Sequence, residues 1–162
     1  MARSQGHGYG VIATTFVLAF ILAIVPFPAW LGWARPEWIA LILIYWTIAL
    51  PHRLGVLTGL VLGILLDVVE GAVLGQNALS LAVVALLANT LYQRLRVYNL
   101  WQQASVVFLL VGINQLICHW VQTLQGVIML WPIYLLPAFT TALLWPVTLH
   151  VLRALRRNYQ VH

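Results

Sequence analysis

The sequence predicts an all-α integral membrane protein with six transmembrane helices, and three observations carry that prediction. Only 7% of the 162 residues are charged while 63% are hydrophobic, and the mean hydropathy is +0.96; a soluble domain carries roughly 25% charged residues. The apolar residues fall into long runs, and a run of about 20 residues crosses a bilayer core of about 30 Å. All eight basic residues are arginine, and they lie between the runs, as topology signals do. Residues 1–162 therefore read as a single polytopic domain.

Composition also excludes chemistry. With no lysine in the chain, there is no P-loop lysine, Schiff-base lysine or lysine nucleophile. The net charge of +5 does not point to nucleic acid, because the arginines are dispersed. Cys118 is the single cysteine; it forms no intramolecular disulfide, and no metal-ligand spacing accompanies it.

The first span runs over 10–31. Arg3 followed by an apolar stretch looks like a signal peptide, but small residues in an A-x-A-like arrangement are lacking, so an uncleaved span is expected. Between Glu37 and Val69 the chain is too long for one span: 33 residues would rise about 50 Å and hold Arg53 at mid-membrane. It divides into a short span, 37–50, and a longer one, 54–69, with Pro51, His52 and Arg53 in the turn. The short span crosses only with little tilt, or with Trp38 and Arg53 reaching the interfaces. The remaining spans are 72–91, 100–125 and 129–152.

Charge favours this count. Six spans with both termini cytoplasmic put Arg3, Arg53, Arg94, Arg96, Arg153, Arg156 and Arg157 inside and only Arg35 outside, as the positive-inside rule requires. Five spans would bury Arg53, at a cost of at least about 2.5 kcal/mol. Trp30, Trp33 and Trp38 mark one interface, joined by Trp131 and Tyr134; Tyr98 and Trp101 mark the other. Pro146 falls inside the last span, where a kink is expected.

Gly55, Gly59, Gly63, Asp67, Gly71 and Gly75 recur every fourth residue, which on a helix is nearly one face. Such a stripe lets another helix approach closely. Its occupant is either a neighbouring helix of this chain or a partner's helix. Asp67 and Glu70 lie near the outer end of that span. Glu70 reads as a solvated loop acid, and Asp67 as a buried anchor for a polar partner on another helix. A second polar stripe, Gln115, His119 and Gln122, has helical spacing. Together with Asp67, Gln76 and Asn77 it is expected to converge in the outer leaflet. His119 reads as an interhelical hydrogen-bonded histidine, since no second ligand has metal-site spacing. The arginines Arg53, Arg94, Arg96, Arg153, Arg156 and Arg157 are candidate cytoplasmic contacts, to anionic lipid head groups or to a protein partner.

The run RPEWIALILIYWTIALPHRLGVLTGLVLGILLDVVEGAVLG, from Arg35 to Gly75, resembles the rod shape-determining MreD family of Gram-negative bacteria. WQQA at Trp101 to Ala104 and LWPVTLHVLRALRR near the end extend the resemblance over nearly the whole chain. The resemblance implies a fold similar to the S-components of energy-coupling-factor vitamin transporters. It also implies a non-enzymatic scaffold in the inner membrane, within the rod complex or elongasome that builds side-wall peptidoglycan. MreC is the implied direct partner, with RodA, its transpeptidase partner, RodZ and MreB in the same complex; no cofactor is implied. The alternative function is a small-molecule, vitamin-like binding component of a transporter. An enzyme ranks below both, because the sequence offers no nucleophile–base pair, metal cluster or phosphate loop.

Overall fold

Six α-helices make up the fold in a computed structural model that describes residues 4–29, 32–126 and 133–159. They are α1 (Ser4–Ile24), α2 (Trp38–Ala49), α3 (Val56–Glu70), α4 (Gln76–Val97), α5 (Leu100–Leu124) and α6 (Leu136–Asn158), with short 3-10 turns at Gly32–Ala34 and Ile133–Leu135. No strand occurs among the described residues. α4, α5 and the segment Ile133–Asn158 are long and apolar enough to cross a membrane. The apolar part of α1, Gly8–Ile24, and α2 are shorter.

Helix ends follow local chemistry. α3 stops at Gly71, which takes a left-handed conformation at φ 64°, the usual glycine terminator. A second left-handed glycine, Gly75 at φ 103°, precedes α4. The four-residue spacing of glycines thus continues in the sequence where the helix does not, and the fourth helix begins at Gln76 rather than at 72. At its other end α4 runs past 91 to Val97, with Arg94 and Arg96 in the last turn, where cations favour the helix dipole. α5 opens with a capping box: Asn99 and the Gln102 side chain each receive the other's backbone N–H, satisfying orphan donors reciprocally. α6 has a proline in its first turn, where the missing N–H costs nothing, and it continues through Pro146 to Asn158. It therefore starts later than 129 and carries Arg153, Arg156 and Arg157 inside the helix. α1 spans 4–24, displaced towards the N-terminus from 10–31. Trp30 and Trp131 lie outside the described residues, as does the side chain of Trp33.

α2 is the core element. α1, α4, α5 and α6 pack round it, while α3 lies outside against α4. Every side chain from Ile39 to Thr47 is buried, which accounts for a helix that is apolar on all faces. Trp46 is fully buried, with its indole N–H donated to Thr15 Oγ1 at 2.9 Å. The outward faces of α1 (Val17, Leu18, Ile21), α3 (Leu57, Val61, Val68) and α6 (Phe139, Leu143, Val147) are apolar and exposed, as a lipid-facing surface must be. Lipid tails are as apolar as leucine, so burying such residues against one another yields no hydrophobic gain; close packing and interhelical hydrogen bonds hold the bundle instead.

Candidate functional site

The polar residues of this chain gather at the two ends of the bundle, and at both ends they satisfy the termini of helices. At one end the α3–α4 hairpin is the best-defined unit. Gly59 and Gly63 face α4 so closely that an added Cβ at Gly59 would stand 2.5 Å from the Leu81 carbonyl oxygen. At Gly63 it would overlap the backbone of Asn77 and Ala78. One turn on, Asp67 is fully buried. Its carboxylate accepts the backbone N–H groups of Gly75 and Asn77, both at 2.8 Å, and of Ala78 at 3.4 Å. These are the donors left orphaned at the start of α4. Gly75, the residue before the helix, has no side chain to cap them, so the cap comes from α3. A carboxylate there is also favoured by the dipole of α4.

The partner of Asp67 is therefore the backbone of the next helix, not a polar side chain. The two glycines bring that backbone within reach. Gly55, Gly71 and Gly75 take no part in the close contact, since a Cβ at each would meet nothing within 4 Å. The stripe divides into a packing pair, an anchor and two turn glycines, with Gly55 at the start of α3.

The same end holds the chain's third acid, Glu37, just before α2. Its side chain accepts a hydrogen bond from Gln115 Nε2 of α5, and its backbone N–H is donated to Thr141 Oγ1 of α6 at 2.9 Å. Arg35 lies within electrostatic reach of both Glu37 and Glu70. Glu70 is exposed and accepts Asn77 Nδ2 at 3.3 Å. Asn77 Oδ1 in turn accepts from Cys118 Sγ at 3.4 Å, and Cys118 also meets Ser80 Oγ at 3.5 Å. Gln76 contacts Cys118 from the first turn of α4. His119 stacks flat on Tyr134, with ring centroids 4.7 Å apart. Gln122 is half-buried one turn further along α5, without a direct bond to Asp67 or Asn77. Sequence reasoning passed over Glu37, Ser80 and Thr141. The available signal was Glu37's place after Arg35-Pro36, at the mouth of an unusually short span.

The opposite end carries Arg53, Arg94, Arg96, Arg153, Arg156 and Arg157. Arg96 of α4 reaches back to the last turn of α2, where its Nη2 donates to the carbonyls of Ile48 at 2.9 Å and Ala49 at 3.1 Å. Arg53 lies instead over the ring of Tyr9, 5.2 Å from the centroid. The short helix α2 is supported by contacts from the rest of the bundle. α2 has 12 residues, a rise of about 18 Å, and its ends are satisfied by side chains of other helices. Backbone ends at membrane depth are tolerated only where protein covers them. Gln103, within the WQQA segment, treats α4 alike: its Nε2 donates to the Leu95 and Tyr98 carbonyls, and its Oε1 accepts Trp145 Nε1 at 3.2 Å. Arg153 and Arg156 of α6 lie beside this network; Arg94 and Arg157 are exposed nearby.

Among the described residues no group of three His, Cys, Asp or Glu side chains is arranged to hold a metal ion. What the polar residues do is close helix ends inside an apolar bundle, and two of the residues so used, Asp67 and Gln103, lie within the segments that resemble the rod shape-determining family. The model of that family, "rod shape-determining protein MreD", matches residues 4–155. The chain belongs to the MreD family. It is also similar to the rod shape-determining protein MreD of Haemophilus influenzae, at 33% identity over 152 residues, which cover 93% of each chain. No solved structure matches it. Family membership identifies a membrane protein with a role in determining rod shape.

Proposed function

We propose that this chain is a non-enzymatic scaffold of the inner membrane, pairing with MreC in the rod complex to support side-wall peptidoglycan synthesis. RodA, its transpeptidase partner, RodZ and MreB belong to the same assembly in this reading. Membership of the MreD family carries the proposal. The use of buried polar groups to close helix ends supports it, because those groups are engaged within the fold and leave apolar outer faces for helix docking. The scaffold crosses the membrane six times with both termini in the cytoplasm, since the six arginines from Arg53 to Arg157 lie at the end opposite the three acids.

Two experiments test this reading. Tagged protein solubilised in mild detergent should bring down MreC from membranes of a rod-shaped host; absence of MreC at normal protein levels would refute the pairing. Alkaline phosphatase fused after Glu70 should be active and after Arg53 silent; activity at Arg53 would refute the topology.

A further inference from the structure

At the basic end, α2, α4, α5 and α6 line a partly open cavity of about 100 Å³, whose wall includes Tyr45, Arg96, Gln103, Trp145, Arg153 and Arg156. A water takes up about 30 Å³ in the liquid, so the space admits a small tetrahedral group. We propose that this cavity binds a phosphate group, carried by a lipid head group or by a soluble phosphate compound.

Three observations point the same way. The polar groups of the wall are mostly donors: three guanidinium groups, which have no acceptor atom, and the Tyr45 hydroxyl. Gln103 is already engaged, its amide nitrogen on two carbonyls and its oxygen on Trp145. The Tyr45 hydroxyl is buried without a hydrogen-bond partner among the described residues, although Tyr45 is only 3% exposed. A bare buried hydroxyl of this kind is costly, and an oxyanion in the cavity would accept from it.

Arg96 is held in place beforehand by the α2 carbonyls, so one wall of the site is rigid before any anion enters. Planar guanidinium forks suit phosphate oxygens. Basic pockets between membrane helices are a recurrent setting for anionic head groups.

The test uses the full chain purified in a neutral detergent. Its thermal unfolding midpoint is followed while phosphatidylglycerol is titrated into the micelles, with phosphatidylcholine as the zwitterionic control. In a second arm, inorganic phosphate is titrated at constant ionic strength against chloride. A saturable rise in midpoint is expected with one of the two phosphate sources, and the responding arm names the source. Tyr45→Phe and Arg153→Gln should each weaken the apparent affinity about tenfold, the effect of losing one hydrogen bond to a charged group. Arg157→Gln removes the same charge outside the cavity and should weaken it less than about twofold. Tyr45→Phe preserves packing and keeps the test decisive if Arg153→Gln fails to fold. No saturable rise in either arm, or equal weakening by Arg157→Gln and Tyr45→Phe, would overturn the proposal.

Discussion

Replacing Asp67 probes the hairpin anchor most sharply. Its carboxylate accepts two backbone N–H groups at 2.8 Å and a third at 3.4 Å, with no exposure to solvent. Hydrogen bonds to a charged group contribute about 1.5–3 kcal/mol each. Asp67→Leu loses both short bonds and leaves buried donors bare, so a cost of about 3–6 kcal/mol follows. Asp67→Asn keeps one acceptor oxygen for Asn77 but turns an N–H towards Gly75 and Ala78, for a cost of about 1.5–3 kcal/mol. For a chain of this size about 1 kcal/mol moves the midpoint by about 2–4 °C. The Leu variant should therefore unfold about 10 °C or more below the wild type, and the Asn variant by about half that shift. Thermal unfolding of the purified variants in one detergent, followed by tryptophan fluorescence, measures both. Equal losses for Asn and Leu would mean that charge rather than acceptor capacity is required. A Leu variant within about 2 °C of wild type would refute the capping role.

Two further outcomes follow from the packing. Gly63→Ala should lower the midpoint by the equivalent of about 1–3 kcal/mol of overpacking, and the bulkier Gly63→Leu by at least as much. Gly10→Ala on α1, where a Cβ meets nothing, should be neutral or slightly stabilising because alanine favours helix; equal responses at the two glycines would remove the close α3–α4 contact. Arg96→Ala strips the α2 carbonyls of their donors and should cost about 1.5–3 kcal/mol, whereas Arg94→Ala, exposed on the same turn, should cost under about 0.5 kcal/mol. Similar midpoints for both arginine variants would show that α2 needs no such cap.

How much of this could be read in the residues depended on the physics each feature uses. The six helices follow from apolar runs and the punctuation between them, because no other secondary structure closes its own hydrogen bonds so locally. The short α2 was legible as a short span bounded by Glu37 and the Pro51–Arg53 turn. Its place at the centre was not, since a helix apolar on every face is compatible with lipid as well as with core. The glycine spacing pointed to Gly59 and Gly63, but periodicity carried the eye across Gly71 and Gly75, where left-handed backbone ends one helix and starts the next. Asp67 was recognised as an anchor, yet its partners are backbone N–H groups, which leave no mark in the sequence. Arg96 was missed as a helix cap, and Glu37 as the partner of Gln115, for the same reason: each acts on an element far away in the chain. Arg53, although adjacent in sequence to α2, has its guanidinium over the Tyr9 ring.

Shape itself is the most direct measure of the scaffold reading. In a rod-shaped host depleted of its own MreD-family protein, the wild-type chain should restore rods of normal width. Asp67→Asn should restore them better than Asp67→Leu, with membrane levels of each variant checked by immunoblot. Cells that stay spherical while the wild-type chain accumulates normally in the membrane would contradict the account.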